Sequence, residues 1–282
     1  MKMRLDRQLL KSLALMAAIV EARDPYTGGH LWRVSQYSGM LAEKLGFSPM
    51  ETYRVRLGGF LHDLGKISIP DAVLGKRGPL TAAEYEIVKT HPGIGEDLVK
   101  EHPLGLLVAD TIRHHHEWYD GTGYPDGLTE QRIDIQARIV SVADAFDAMT
   151  SIRPYRIGMP AGKAVTDLQP FRGRQFEGRL LDLLTELAEN GALDSIVGHS
   201  DFETPMVRCP ACGPVLPVSR TAVDGDIFHC RTCNRQLRLH KDGKTFIAEP
   251  TGKMATAEQA KLRAEMTSLS DFIAQAPRSL TI

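Results

Sequence analysis

The sequence predicts a mainly α protein: an all-α domain over residues 1–198, a small β-rich unit over 199–250 and a helical tail over 251–282. Three observations predict it. From about residue 5 to 197 apolar residues recur at helical spacing, and no run of alternating β-branched residues interrupts them. Turn signals ("DPYTGG", "LGFSP", "GKRGPLT", "HPGIG", "DGTGYPDG", "RPYRIGMP") divide that stretch into helices. Near residue 200 the chain becomes turn-rich, with short strand-like runs such as "DIFHC" and "KTFIAE", and it holds all four cysteines.

The first helix carries Leu5, Leu9, Leu13, Met16 and Val20 on one face. Its stretch "LLKSLALMAAIVEARD" resembles the apolar region of a secretory leader but is expected to be an amphipathic helix, because Lys11 breaks the apolar run, Glu21 to Asp24 follow and no small-residue cleavage site is apparent. No stretch of eighteen or more apolar residues occurs, so no membrane span and a cytoplasmic location are expected. After Pro250 the tail "ATAEQAKLRAEMTSLSDFIAQA" combines helix formers with an apolar repeat and predicts a helix. The 282 residues are 43% hydrophobic and 24% charged, enough for one large core and a small second unit. A net charge of -1 argues against a nucleic-acid polymer or an anionic membrane as partner, so any phosphate recognition must be local.

The helical part holds a series of candidate metal ligands: His30, His62 with Asp63, His91, His115 with His116, and Asp144. Imidazole and carboxylate together suit iron, manganese or zinc. Neighbouring helical residues point about 100° apart, so an HD or HH pair can embrace one metal at a helix edge or reach two. Asp63, with two oxygens, is the natural bridge. The other reading of "HDLGK" is structural, with His62 capping a helix and Asp63 pairing with Lys66. His102, His199 and His240 lack such companions and read as ordinary histidines; His114 and His229, next to better candidates, stand only slightly above them.

Taken in order, "HDLGK", the "HP" of His91 and Pro92, "HHEWYDGTGYP" at 115–125 and "ADAFDAMTSIRPYR" at 143–156 resemble the HD-GYP phosphodiesterases, a branch of the HD metal-dependent phosphohydrolases. The resemblance covers roughly residues 15–195. It implies an all-α domain with a binuclear or trinuclear centre, often iron or manganese, that hydrolyses cyclic di-GMP to linear pGpG and sometimes to GMP. The residues suit that chemistry, since attack on a phosphodiester anion needs an activated water and positive charge on the phosphoryl oxygens, which two ions about 3.5 to 4 Å apart supply. One partition gives His30, His62 and Asp144 to one ion and His91, His115 and His116 to the other, with Asp63 shared.

Around the ligands, Lys66 lies one turn beyond His62 and suits a phosphate oxygen or the leaving group. Arg153 and Arg156 can present guanidinium forks to the second phosphate or a guanine edge, the role their place in the family pattern implies. Asp147, three residues after Asp144, shares a face with it and suits orienting a ligand or moving a proton. Tyr124, on a loop stiffened by Gly121, Gly123, Pro125 and Gly127, suits stacking on guanine or contact with a partner protein.

Two departures stand out. Some family members carry a Glu four residues before the first histidine that completes a third metal site; here that residue is Tyr26, which predicts two metals. The "GxxFDP" that often comes after the "RPYR" helix reads "GRQFEG", with Glu177 and Gly178.

"CPAC" at 209–212 and "CRTC" at 230–233 form two knuckles 17 residues apart, the pattern of a four-thiolate site. Cys209, Cys212, Cys230 and Cys233 are thus the expected ligands of one structural zinc in a ribbon whose strands are too short to fold without it. A rubredoxin-like iron site and redox disulfides are the alternatives. Counting zinc and four thiolates, the ribbon's net charge is near neutral, which favours docking or dimerisation over nucleic acid. The expected function is a two-metal cyclic di-GMP phosphodiesterase. Rival readings are the same chemistry on another cyclic dinucleotide or nucleotide, and a weakly active cyclic di-GMP receptor. A homodimer through the first helix and a protein partner at the Tyr124 loop or the ribbon are further expectations.

Overall fold

A computed structural model describes residues 2–3, 6–23, 28–76, 78–151, 158–201, 204–213, 215–219, 221–230, 233–243, 245–256, 272–277 and 280–281. Its helical part runs α1 (Arg7–Arg23), α2 (His30–Lys44), α3 (Pro49–Leu61), α4 (Asp71–Leu74), α5 (Ala82–Val88), α6 (His91–Val99), α7 (Ala109–His114), α8 (Ile135–Thr150), α9 (Ala161–Leu168) and α10 (Gly178–Glu189).

α2 is the axis of the domain, with twelve of its fifteen residues buried, including polar Arg33, Ser35, Gln36 and Ser38. It lies between α3 and α8, where small residues let backbones approach; a Cβ on Gly59 of α3 would sit 3.3 Å from the Ser35 Cα. The Tyr37 ring meets Phe146 of α8 edge-on at 5.0 Å. α3 starts cleanly because Ser48 and Glu51 form a reciprocal capping box and Pro49 occupies the first helical position, where its missing N–H costs nothing. α1 covers one side of this core through Leu10, Leu13, Ala14, Ala17 and Val20. Met16, expected on that face, is 39% exposed, because the two alanines rather than the larger side chain fill the stripe next to Leu13.

β2 (His199–Asp201), β3 (Thr204–Arg208) and β4 (Val215–Pro217) form one antiparallel sheet, and β5 (Ile227–His229), β6 (Arg235–Asp242) and β7 (Thr245–Met254) a second. Between them, among the described residues, lies a core of seven buried residues: Val207, Cys209, Leu216, Val218, Cys230, Leu237 and Leu239. The expected boundary after residue 250 is crossed by β7, because Arg235 of β6 pairs with Met254 across a bulge. Most of the expected tail helix falls on residues 257–271, outside the described residues. The chain then rejoins the helical core: Phe272 is fully buried, stacked on Phe60 at 4.3 Å and on Tyr53 at 5.7 Å. At the far end β8 (Leu280–Thr281) pairs antiparallel with β1 (Lys2–Met3).

Phe272→Ala removes an aromatic side chain from a filled core site, so it should destabilise the helical domain by about 3–5 kcal/mol, read as a lower denaturant midpoint with an unchanged slope.

Candidate metal centre

The candidate ligands sit at helix ends, and this is how residues far apart in sequence converge. His30 opens α2, His62 and Asp63 come just after the last turn of α3, His91 opens α6, and His115 and His116 come just after α7. Asp144 comes from within α8. At three of these ends the same device aims the ring. The Nδ1–H of His62 donates to the Gly59 carbonyl, that of His91 to Val88 and that of His115 to Ile112, each at 2.7 Å and each three residues back. Carbonyls in the last turn of a helix have no amide partner, so the imidazole supplies one for Gly59 and Ile112. The bond also selects the tautomer whose Nε2 carries a lone pair, and it points that nitrogen inward. His30 reaches the same state differently, with Nδ1 bonded to the Asp147 carboxylate at 2.8 Å.

The inward atoms form two groups. In one, His30 Nε2 lies 3.3 Å from His62 Nε2 and 3.5 Å from Asp144 Oδ1. In the other, His91 Nε2 lies 3.3 Å from His115 Nε2, with His116 completing a set of donors within 4.8 Å of one another. Asp63 spans them: Oδ2 is 3.5 Å from His30 Nε2 and 3.4 Å from His62 Nε2, while Oδ1 is 3.4 Å from His91 Nε2. Lone pairs and carboxylate oxygens that converge at these separations call for a cation between them.

The electrostatics agree. Burial opposes charge on His30, yet its bonds to Asp147 and Asp63 raise its pKa to about 9, so a proton and a metal ion compete for the position Nε2 faces. On the other side burial pushes His91 down to about 4 and holds His115 and His116 well below the usual range, which leaves neutral imidazoles able to ligate. Asp63 stays ionised although buried, because His62 and Lys66 outweigh the desolvation. The donor set therefore fits divalent metal ions of the kind imidazole and carboxylate hold.

The remaining expected residues fall into place unevenly. Lys66 Nζ is 2.6 Å from Asp63 Oδ2, on the rim of the centre. Asp147 is fully buried and bonded to His30, to Arg33 at 2.6 and 3.1 Å, and to Ser151, so it fixes the His30 ring instead of facing solvent. The Tyr124 ring stacks on His116 at 4.9 Å with Lys89 Nζ 5.5 Å from its centre. Arg153, Arg156 and Tyr26 lie outside the described residues. His114 pairs with Asp126, His240 with Glu249, and neither joins the donor groups.

Three residues escaped the sequence reading. Buried Arg33 neutralises Asp147 and holds its carboxyl below the usual range. Glu21 accepts the Leu31 amide at 3.0 Å and so caps α2, whose preceding Gly29 has no side chain to do it. Glu117 accepts the amides of Asp126 and Leu128 at 2.6 and 3.1 Å and pins the Tyr124 loop, which Arg113 also grips through a bidentate bond to Asp126. An acidic residue beside a histidine pair and an arginine one turn after a ligand were the available signals.

In the small second core the four sulfurs gather as a cluster with Sγ separations of 3.4 Å (Cys212–Cys230), 3.6 Å (Cys209–Cys212) and 3.8 Å (Cys209–Cys233). Sulfurs at the corners of a tetrahedron with Zn–S of about 2.3 Å stand about 3.8 Å apart, so the cluster can hold one ion. Burial works against a Cys209 thiolate, but the amides of Cys212 and Ala211 outweigh it and lower its pKa.

The HD domain family matches residues 14–180 of this chain. The cyclic di-GMP phosphodiesterase response regulator RpfG of Xanthomonas campestris pv. campestris is 41% identical over 203 residues, which are 70% of this chain and 52% of that protein. The 3'3'-cGAMP-specific phosphodiesterase 3 of Vibrio cholerae is 38% identical over 151 residues, 54% of this chain and 33% of that one. Bd1817, an HDG"Y"P protein from Bdellovibrio bacteriovorus, superposes with a TM-score of 0.50 at 28% identity, over 59% of this chain and 53% of its own. The chain thus spans about half, or less, of the length of the curated relatives it matches.

Asp147→Asn keeps the shape but leaves Arg33 unneutralised and His30 weakly held; metal affinity should fall about 10- to 100-fold, measured by manganese titration of the folded protein. Gly65 tests the frame from another side, since a Cβ there would lie 1.9 Å from the His91 carbonyl oxygen. Gly65→Ala must push α6 outward and should weaken manganese binding about 10-fold or more, with helicity retained by circular dichroism.

Proposed function

Because the chain belongs to the HD domain family, we propose that it is a metal-dependent phosphodiesterase that hydrolyses cyclic di-GMP to linear pGpG or GMP. The observation that carries this reading is the pair of buried donor groups joined by the two oxygens of Asp63. Divalent ions held there, two by this reading and iron or manganese by their donors, supply positive charge to the phosphodiester and acidify water.

The chain's own residues do the rest. His30, His62 and Asp144 hold one side, His91, His115 and His116 the other, and Asp63 sets the spacing between them. Lys66, already paired with Asp63, can turn its ammonium to a phosphoryl oxygen or to the departing ribose oxygen. Asp147 keeps the His30 ring at one angle so that Nε2 does not wander during turnover. Tyr124, braced by Glu117 and Asp126 and resting on His116, offers an aromatic face next to the centre for a guanine. Arg153 and Arg156 are assigned to the second phosphate or the guanine edges on their place in the family pattern alone.

Zinc is assigned to the four cysteines, where it replaces the core that seven buried residues cannot provide. This reading places the protein in the cytoplasm, and no helix among the described residues is long and apolar enough to cross a membrane. A second copy would meet α1 through Met16 and Ile19, which stay exposed. The likeness to a 3'3'-cGAMP-specific enzyme supports a second reading in which one base is adenine, with the same donors and chemistry.

Protein purified without oxygen and supplied with ferrous iron or manganese should convert cyclic di-GMP to pGpG or GMP, with about two such ions and one zinc per chain. Asp63→Ala should lose metal and turnover together, by at least about 1,000-fold in rate. Preference for 3'3'-cGAMP would select the second reading; a filled centre that cuts neither substrate would reject both.

A further inference from the structure

His30 occupies the first position of α2, and the C-terminal module fastens that position. β2 lies across the turn that precedes it: Gly29 has φ of +74°, and a Cβ there would fall 2.5 Å from the Ser200 Cα. One turn into α2, the buried guanidinium of Arg33 serves two sides at once. Nε and Nη2 grip Asp147, which holds His30 Nδ1, while Nη1 donates to the carbonyls of Gly28 at 3.0 Å and His199 at 2.7 Å. His199 is the first residue of β2, which pairs with β3, and β3 runs directly into Cys209.

The geometry points to β2 as a strap, and to Arg33 as a positioning residue, through which the four-cysteine module sets the angle of His30 and thereby tunes metal binding in the His30, His62 and Asp144 group. This rests on the reading of both clusters as metal sites. A buried guanidinium that loses an acceptor must turn to find another, and Asp147 is gripped by the same fork. The ring of His30 moves with Asp147, and its Nε2 shifts against His62 and Asp144, now 3.3 and 3.5 Å away. β2 is three residues long, and its partner β3 belongs to the core that contains Cys209 and Cys230, so its place depends on the filled cysteine site. The second donor group is anchored elsewhere, by the Val88 and Ile112 carbonyls and by Tyr124. The strap therefore acts on one group and spares the other.

The test uses the full chain. Cys209→Ser with Cys212→Ser, freed of zinc, is titrated with Mn2+ beside the parent; bound manganese is counted and its EPR spectrum recorded. One ion should bind at least about 10-fold more weakly with an altered spectrum, while the other keeps its affinity. Gly198→Val perturbs the strap without touching either cluster, because Gly198 has φ of +76° with open space around it, and strain there falls on the turn into β2. It should weaken the same ion with zinc retained, and Arg33→Lys should recover part of what Arg33→Met loses. Parent affinity and spectrum in Gly198→Val, or in the zinc-free protein, overturn the strap, as does equal weakening of both ions together with loss of the helical unfolding transition. If the cysteine variant does not fold, Gly198→Val decides. Hydrolysis plays no part in this readout, so a parent that binds manganese but leaves cyclic di-GMP uncut rejects the proposed function while the strap is still decided.

Discussion

Everything at the centre depends on which ring nitrogen of each histidine carries its proton. The backbone decides this at His62, His91 and His115, where a carbonyl three residues earlier takes the Nδ1–H and leaves Nε2 free to face inward. A helix end has carbonyls to spare, so placing the ligands there satisfies the backbone and orients the ring in one bond. Helix ends are also where the chain can turn, which lets His62 and Asp63, adjacent in sequence, face different parts of one centre.

The second constraint is charge. Asp63 and Asp147 are buried carboxylates, and each stays ionised because a cation is held against it: Lys66 for Asp63, Arg33 for Asp147. A buried charge without its partner is among the most costly defects a core can carry, so these pairs tie the packing of α2, α3 and α8 to the chemistry of the centre. The loop of Tyr124 is stiffened in a similar way, with Glu117 holding two backbone amides and Asp126 held by Arg113 and His114. Glu177, at the start of α10, pairs with Arg138 of α8 and so ties the two helices together.

The two ends of the chain are less separate than their composition suggests. The tail returns to the helical core at Phe272, the termini pair through β1 and β8, and β2 reaches the turn before His30. A small sheet pair with seven buried residues has little stability of its own, and its sulfur cluster and these contacts compensate.

The sequence by itself determined the donor types, the helical class and the four-cysteine unit, because metal chemistry restricts ligands to a few side chains, grouped in "HDLGK", "HHEWYDGTGYP" and the CxxC knuckles, and the apolar spacing over residues 5–197 writes the helices locally. It also grouped the donors around a shared Asp63 on chemical grounds. What only the tertiary structure decided is how each donor is held. Arg33, Glu21 and Glu117 look like ordinary surface charges in the sequence, and their partners lie up to 166 residues away, as with the His199 carbonyl. The end of the strand at Met254 and the burial of Phe272 were hidden for the same reason. Such contacts are set by which helix and strand ends meet after packing, and no local pattern in the chain encodes that distance.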